Sequence, residues 1–142
     1  MNNIKKIHLI GIGGAGMSGI AEILINLDYE ISGSDLIDTP VTHRLESLGA
    51  KIFYDHSASN VSGKDLIVIS SAISKENLEV LEAENLKIPV IKRAEMLANL
   101  MMLKESVAIA GSHGKTTITC ILAHIFSCNQ LDPTYIIGGK VE

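Results

Sequence analysis

Gly111 to Thr117 reads Gly-Ser-His-Gly-Lys-Thr-Thr, directly after the apolar run Val107 to Ala110. Glycines let a turn aim its backbone N–H groups inward, and a following helix start adds partial positive charge, so such a loop can cradle phosphate. Lys115 is spaced to reach terminal phosphates and the Thr116 hydroxyl to ligate Mg²⁺, which makes these two the catalytic candidates. Gly111, Ser112, His113, Gly114, Lys115, Thr116 and Thr117 form the candidate set for binding a nucleotide's phosphates. The full P-loop pattern has a glycine where this chain has Ile109, so the loop is a shortened variant. His113 is either a polar contact near the phosphates or a solvent-exposed loop residue.

A second glycine loop lies near the start. Gly11-Ile12-Gly13-Gly14-Ala15-Gly16 matches G-x-G-x-x-G and follows the β-rich run Ile4 to Ile10. Met17, Ile20, Ala21, Leu24 and Leu27 then recur at helical spacing. The pattern assigns Gly11 to the tight turn, Gly13 to close approach of a pyrophosphate, and Gly16 to helix–strand packing. Asp35 follows about 20 residues after Gly16, where a Rossmann fold places an acidic residue on a ribose hydroxyl. An ordinary loop aspartate before the next helix is the alternative.

Elements that would position these loops alternate along the chain. Tyr29 to Gly33 reads as a second strand, Pro40 to about Leu48 as a helix ended by Gly49, and Ala50 to Tyr54 as a third strand. Asp65 to Ile69 has the nearly all-apolar composition of a strand buried on both faces. It ends in Ser70-Ser71-Ala72, where small hydroxyl residues suit a nucleotide beyond the strand ends, unless Ser71 or Ser74 caps the next helix, about Glu76 to Glu84. Ile88 to Ile91 reads as a fifth strand. The Met96, Leu97, Leu100 and Met101 stripe reads as core filling. The alternation predicts an α/β, Rossmann-like parallel sheet with flanking helices, followed by the strand, P-loop and helix that begin a second domain. Residues 1–103 form the first domain and 104–142 the start of the second, a length at or below the ~40 residues that rarely bury a core alone.

The bulk properties exclude several classes. The net charge of −4 and the absence of a Lys/Arg stripe argue against a nucleic-acid partner. Lys5-Lys6 and Lys92-Arg93 are only pairs, expected at solvated ends. No apolar run approaches the roughly 18 residues that span a bilayer, and two cysteines give no disulfide framework, so a reduced, cytoplasmic protein is expected. Cys120, His124 and Cys128 share one helical stripe, but eight residues of helix rise ~12 Å, too far for three ligands of one zinc ion.

Both glycine loops together resemble the Mur ligases of bacterial cell-wall synthesis. The resemblance rests on Gly11 to Met17, Ile31-Ser32-Gly33-Ser34-Asp35, Ser70-Ser71-Ala72-Ile73 and Arg93-Ala94-Glu95-Met96 ahead of Gly111 to Thr117, and runs the length of the chain. It implies that the first loop holds the diphosphate of UDP-N-acetylmuramate, with Gly11, Gly13, Gly14, Ala15, Gly16, Met17, Ser34, Asp35, Ser71 and Ala72 at the UDP substrate. It also implies ATP and Mg²⁺ at the second loop, with L-alanine as the second substrate, joined through an acyl phosphate. A family member that recycles murein tripeptides ranks second, because Gly13 to Gly16 is the richer glycine loop.

The family has three domains, and after Thr117 this chain has only Asp132 and Glu142 as carboxylates, neither ending an apolar strand where a second Mg²⁺ ligand belongs. The expectation is an N-terminal fragment, inactive alone, whose apolar helix Ile118 to Phe126 docks on the sheet edge, swaps between chains or forms a homodimer patch. A NAD-dependent dehydrogenase explains the first loop but leaves Lys115 and Thr116 idle. A non-catalytic UDP-sugar-binding module explains the first domain without chemistry.

Overall fold

A computed structural model describes residues 4–103 and 105–137. Lys104, at the expected domain boundary, and the candidate carboxylate Glu142 lie outside the described residues. The order is β1 (Lys6–Ile10), α1 (Ala15–Asn26), β2 (Glu30–Ser34), α2 (Pro40–Ser47), β3 (Lys51–Phe53), a 3₁₀ turn (Ala58–Val61), β4 (Leu66–Ile69), α3 (Leu78–Asn85), β5 (Val90–Lys92), α4 (Arg93–Met101) and α5 (Lys115–Cys128).

The five strands pair in parallel in the order β3-β2-β1-β4-β5. The order reverses at β1, so the crevice beyond β1 and β4 is a topological switch point, and the first glycine loop issues directly into it.

Alternation along β1 divides the molecule. Ile7 and Leu9 join Met17, Ile20, Leu24, Leu45, Met96 and Leu100 in the larger core on one face. Ile10 points the other way, to Val61, Ile67, Val80 and Ala83. Met96 and Leu100 are core residues, as the methionine stripe predicts.

Helix starts are set locally. Thr39 and Thr42 form a capping box on α2, with Pro40 at the first helical position. On α3 the cap is Asn77, whose side chain accepts from the Glu79 N–H, and neither Ser71 nor Ser74 fills that role. The helix begins two residues later than expected, because Ser74 and Glu76 bond to each other in the preceding turn.

In the later segment one expected strand is missing, and of the three arrangements expected for the last helix the docked one is not seen. Val107 to Ala110, expected as the first strand of the second domain, forms no strand and has no ladder partner among the described residues, and a strand pattern without a neighbour gains no ladder. Helix α5 does not dock on the sheet edge. Ile118, Ile121 and Ile125 stay 47%, 53% and 46% exposed. Among the described residues no helix is long and apolar enough to cross a membrane.

Candidate functional site

The first loop is fastened at almost every residue. Gly11 sits at φ 79°, a region that disfavours side chains, and a Cβ there would also approach the Ser70 hydroxyl at 3.3 Å. The Ser34 carbonyl accepts from the N–H groups of Gly11 (2.8 Å) and Ile12 (3.1 Å), and Gly14 donates to the Gly11 carbonyl. Ile12 is fully buried and lies so close over β2 that a Cβ on Gly33 would fall 2.6–2.7 Å from its side chain and from the Leu9 carbonyl. Gly33 is thus a site-shaping glycine that the G-x-G-x-x-G pattern does not include.

Two loop glycines also meet side chains that the pattern does not name. Gly13 makes room for Asp35: its N–H donates to Asp35 Oδ2 at 2.8 Å, and a Cβ would meet that oxygen at 2.8 Å. Gly16 makes room for Arg93: a Cβ there would overlap the guanidinium. Arg93 is half-buried against the loop, not the solvated end expected of a charge pair.

Other candidates separate by orientation. Asp35 also accepts from the Ile37 N–H at 3.2 Å, so each carboxylate oxygen holds one backbone donor and keeps a lone pair for a ligand. Met17 is 1% exposed in the core and its N–H donates to Gly14, so neither its side chain nor its amide is presented outward. The Ser34 hydroxyl is buried and donates to Glu79. Ser71 and Ala72 are exposed past the end of β4. What remains on offer at the start of α1 is the first helical pair, Ala15 and Gly16, where helix geometry supplies no acceptor and no side chain caps the helix.

Beneath this loop lies a polar cluster with little sequence signal. Glu79 on α3 is fully buried and meets His8 Nε2 (3.1 Å), His56 Nδ1 (2.7 Å), the Ser34 hydroxyl (2.7 Å) and the Asn60 amide (2.9 Å). His8 Nδ1 in turn contacts the Ser32 hydroxyl at 3.0 Å. Burial pushes the Glu79 carboxyl up, but the hydrogen bonds from His8, Asn60, Ser34 and His56 outweigh it and hold it below the ordinary range. The hint in the sequence is a histidine set among Ile7, Leu9 and Ile10 of β1.

The second loop is built differently. Gly111 to Thr117 are all exposed. Gly114 takes φ 75° at the helix start, with no side-chain cap on α5. Lys115 Nζ folds back to donate to the carbonyls of Gly111 (2.5 Å) and Ser112 (3.3 Å). A cation seated in its own loop beside an uncapped helix start is a donor set suited to triphosphate. The Thr116 hydroxyl and His113 are exposed in the same stretch.

Fold and loops together define the class: an open, doubly wound α/β protein whose switch-point crevice carries a glycine loop. The Mur ligase family, catalytic domain, matches over residues 6–105. This chain belongs to the Mur ligase family. It is 59% identical over 139 residues to the UDP-N-acetylmuramate–L-alanine ligase of Koribacter versatilis, covering 98% of this chain and 30% of the relative. It is 60% identical over 137 residues to the enzyme of that name from Anaeromyxobacter dehalogenans, covering 96% and 30%. Among solved structures, the UDP-N-acetylmuramate-alanine ligase of Thermotoga maritima matches with a TM-score of 0.88 at 34% identity, over 96% of this chain and 32% of that one. The UDP-N-acetylmuramate:L-alanyl-gamma-D-glutamyl-meso-diaminopimelate ligase of Neisseria meningitides matches at 0.86 and 33%, over 96% and 44%. The chain thus spans about 30% of the length of its curated relatives.

Proposed function

We propose that residues 1–103 bind UDP-N-acetylmuramate and that residues 104–142 begin the ATP-binding domain of a cytoplasmic ligase that adds L-alanine to that sugar. The observation that carries this is the pairing, in one chain, of a fastened switch-point loop and an uncapped Lys115 loop. A dehydrogenase would use the first and leave the second without a task. Structural likeness alone does not separate the L-alanine ligase from the tripeptide ligase, since their TM-scores are nearly equal. The 59% and 60% identities to two L-alanine ligases favour the former.

In this reading Ala15 and Gly16 offer backbone N–H groups to the diphosphate, and Arg93 adds the charge. The free lone pairs of Asp35 accept from the nucleoside. Lys115 and Thr116 hold the ATP phosphates and Mg²⁺. A carboxylate is a poor electrophile until one oxygen becomes a leaving group; its attack on the γ-phosphate of ATP would release ADP and give an acyl phosphate, and the alanine amine would then attack the acyl carbon and displace phosphate. Lys115 neutralises charge as the phosphoryl group moves.

Calorimetric titration with UDP-N-acetylmuramate, and separately with NAD⁺, tests the assignment. Binding of the UDP-sugar, weakened at least tenfold (about 1.4 kcal/mol) by Gly13→Val, supports it. Binding of NAD⁺ alone overturns it. The chain by itself is expected to release no phosphate in the presence of L-alanine, and such release would contradict the division of labour proposed here.

A further inference from the structure

The Glu79 cluster has no part in the chemistry above, yet its buried carboxylate takes four side-chain hydrogen bonds. An ionised carboxylate only accepts hydrogen bonds and has about four lone-pair positions. Here four donors arrive from four separate places: His8 in β1, Ser34 in β2, His56 after β3, and Asn60 in the 3₁₀ turn. Oε1 takes His8 and Asn60; Oε2 takes Ser34 and His56. Both rings must therefore present an N–H to it.

Four satisfied donors explain how a carboxylate survives at zero exposure, but not why the cluster sits where it does. Ser34 is the last residue of β2 and the point of departure for two kinds of contact. Its hydroxyl donates down to Glu79, and its carbonyl accepts from Gly11 and Ile12 above. The next residue, Asp35, takes the Gly13 N–H. One residue pair, Ser34-Asp35, thus fixes three successive loop amides, and Glu79 fixes Ser34.

We infer that Glu79 is a positioning residue for the first phosphate loop, acting through Ser34 to set where the Gly11 to Gly13 backbone lies. The alternative is a polar cluster that only stabilises the smaller core, as Val80 does from the neighbouring position. What the loop binds rests on the function proposed above; the positioning itself does not.

Amide hydrogen exchange on the intact chain tests the inference without any ligand. Glu79→Gln keeps the shape but replaces two acceptor positions by donors, so not all four partners can be satisfied. Ser34→Ala removes the contact from the other side and serves as a second variant. Val80→Ala controls for lost core stability. With exchange normalised to global stability, Gly11 and Ile12 should exchange about tenfold faster in Glu79→Gln and Ser34→Ala but not in Val80→Ala. The double variant should be no worse than either single one, because the effect travels through one contact. Equal loop exchange in all variants, or additive effects, would overturn the inference. UDP-N-acetylmuramate titration of the same proteins should show a matching loss of about tenfold in affinity. If the unmodified chain binds no UDP-sugar, the proposed function fails, while Glu79 is still judged by the exchange data.

Discussion

The two phosphate loops use the same kinds of residue and are held in opposite ways. Gly11 to Gly16 is fastened from four sides, by the Ser34 carbonyl, the Asp35 carboxylate, the burial of Ile12 and the close packing of Arg93 on Gly16. Gly111 to Thr117 is held by Lys115 folded onto its own carbonyls, and a Cβ at Gly114 would meet nothing within 4 Å. The first loop gains its shape from a sheet that reaches it on both sides. The second owes its shape to local geometry alone, so a glycine loop becomes rigid through its neighbours rather than through its glycines.

The sharpest break in this comparison is Gly33→Ala. The added Cβ meets the Leu9 carbonyl and Ile12 at 2.6–2.7 Å, and backbone cannot swing aside. A cost of about 1–3 kcal/mol is expected for such overpacking, read as a melting temperature lower by roughly 4–8 °C per kcal/mol. Gly114→Ala has open space and only an unfavourable φ, and should leave the melting of the sheet domain unchanged.

Next in size is Arg93→Ala. Hydrogen bonds to charged groups contribute about 1.5–3 kcal/mol, so UDP-N-acetylmuramate affinity should fall on the order of tenfold or more, with little change in thermal stability. An unchanged affinity would remove Arg93 from the site.

Acid separates the regions more gently. The Glu79 carboxyl is held below its ordinary value in the folded protein, so its contribution is present above the unfolded pKa near 4.5 and is lost as pH falls through the lower folded value. Urea midpoints of the sheet domain should therefore decline below about pH 4.5, and Glu79→Gln should flatten that decline. The smallest effect on the sheet domain belongs to Lys115→Ala, which should leave both its melting temperature and its UDP-sugar affinity as they are and act only on triphosphate binding at the second loop.

Much of this architecture is legible in the chain itself. The five strands of the sheet and the helices between them fall within a few residues of their expected places, because apolar periodicity and end signals such as Thr39-Pro40 are local. Both glycine loops and the helix after each are equally local. Val107 to Ala110 has the composition of a strand and no ladder for the complementary reason: composition is local, but a ladder partner is not.

The sequence by itself determined the order of elements, the two phosphate loops and the faces that become core. Only the tertiary structure decided what each loop residue does. Gly13 serves Asp35, 22 residues away, and Gly16 serves Arg93 at the far edge of the sheet. His8 meets Glu79 across 71 residues. Periodicity records which face a residue takes within a turn or two of chain. Which distant group stands opposite depends on strand order and register, and these exist only once the sheet has formed.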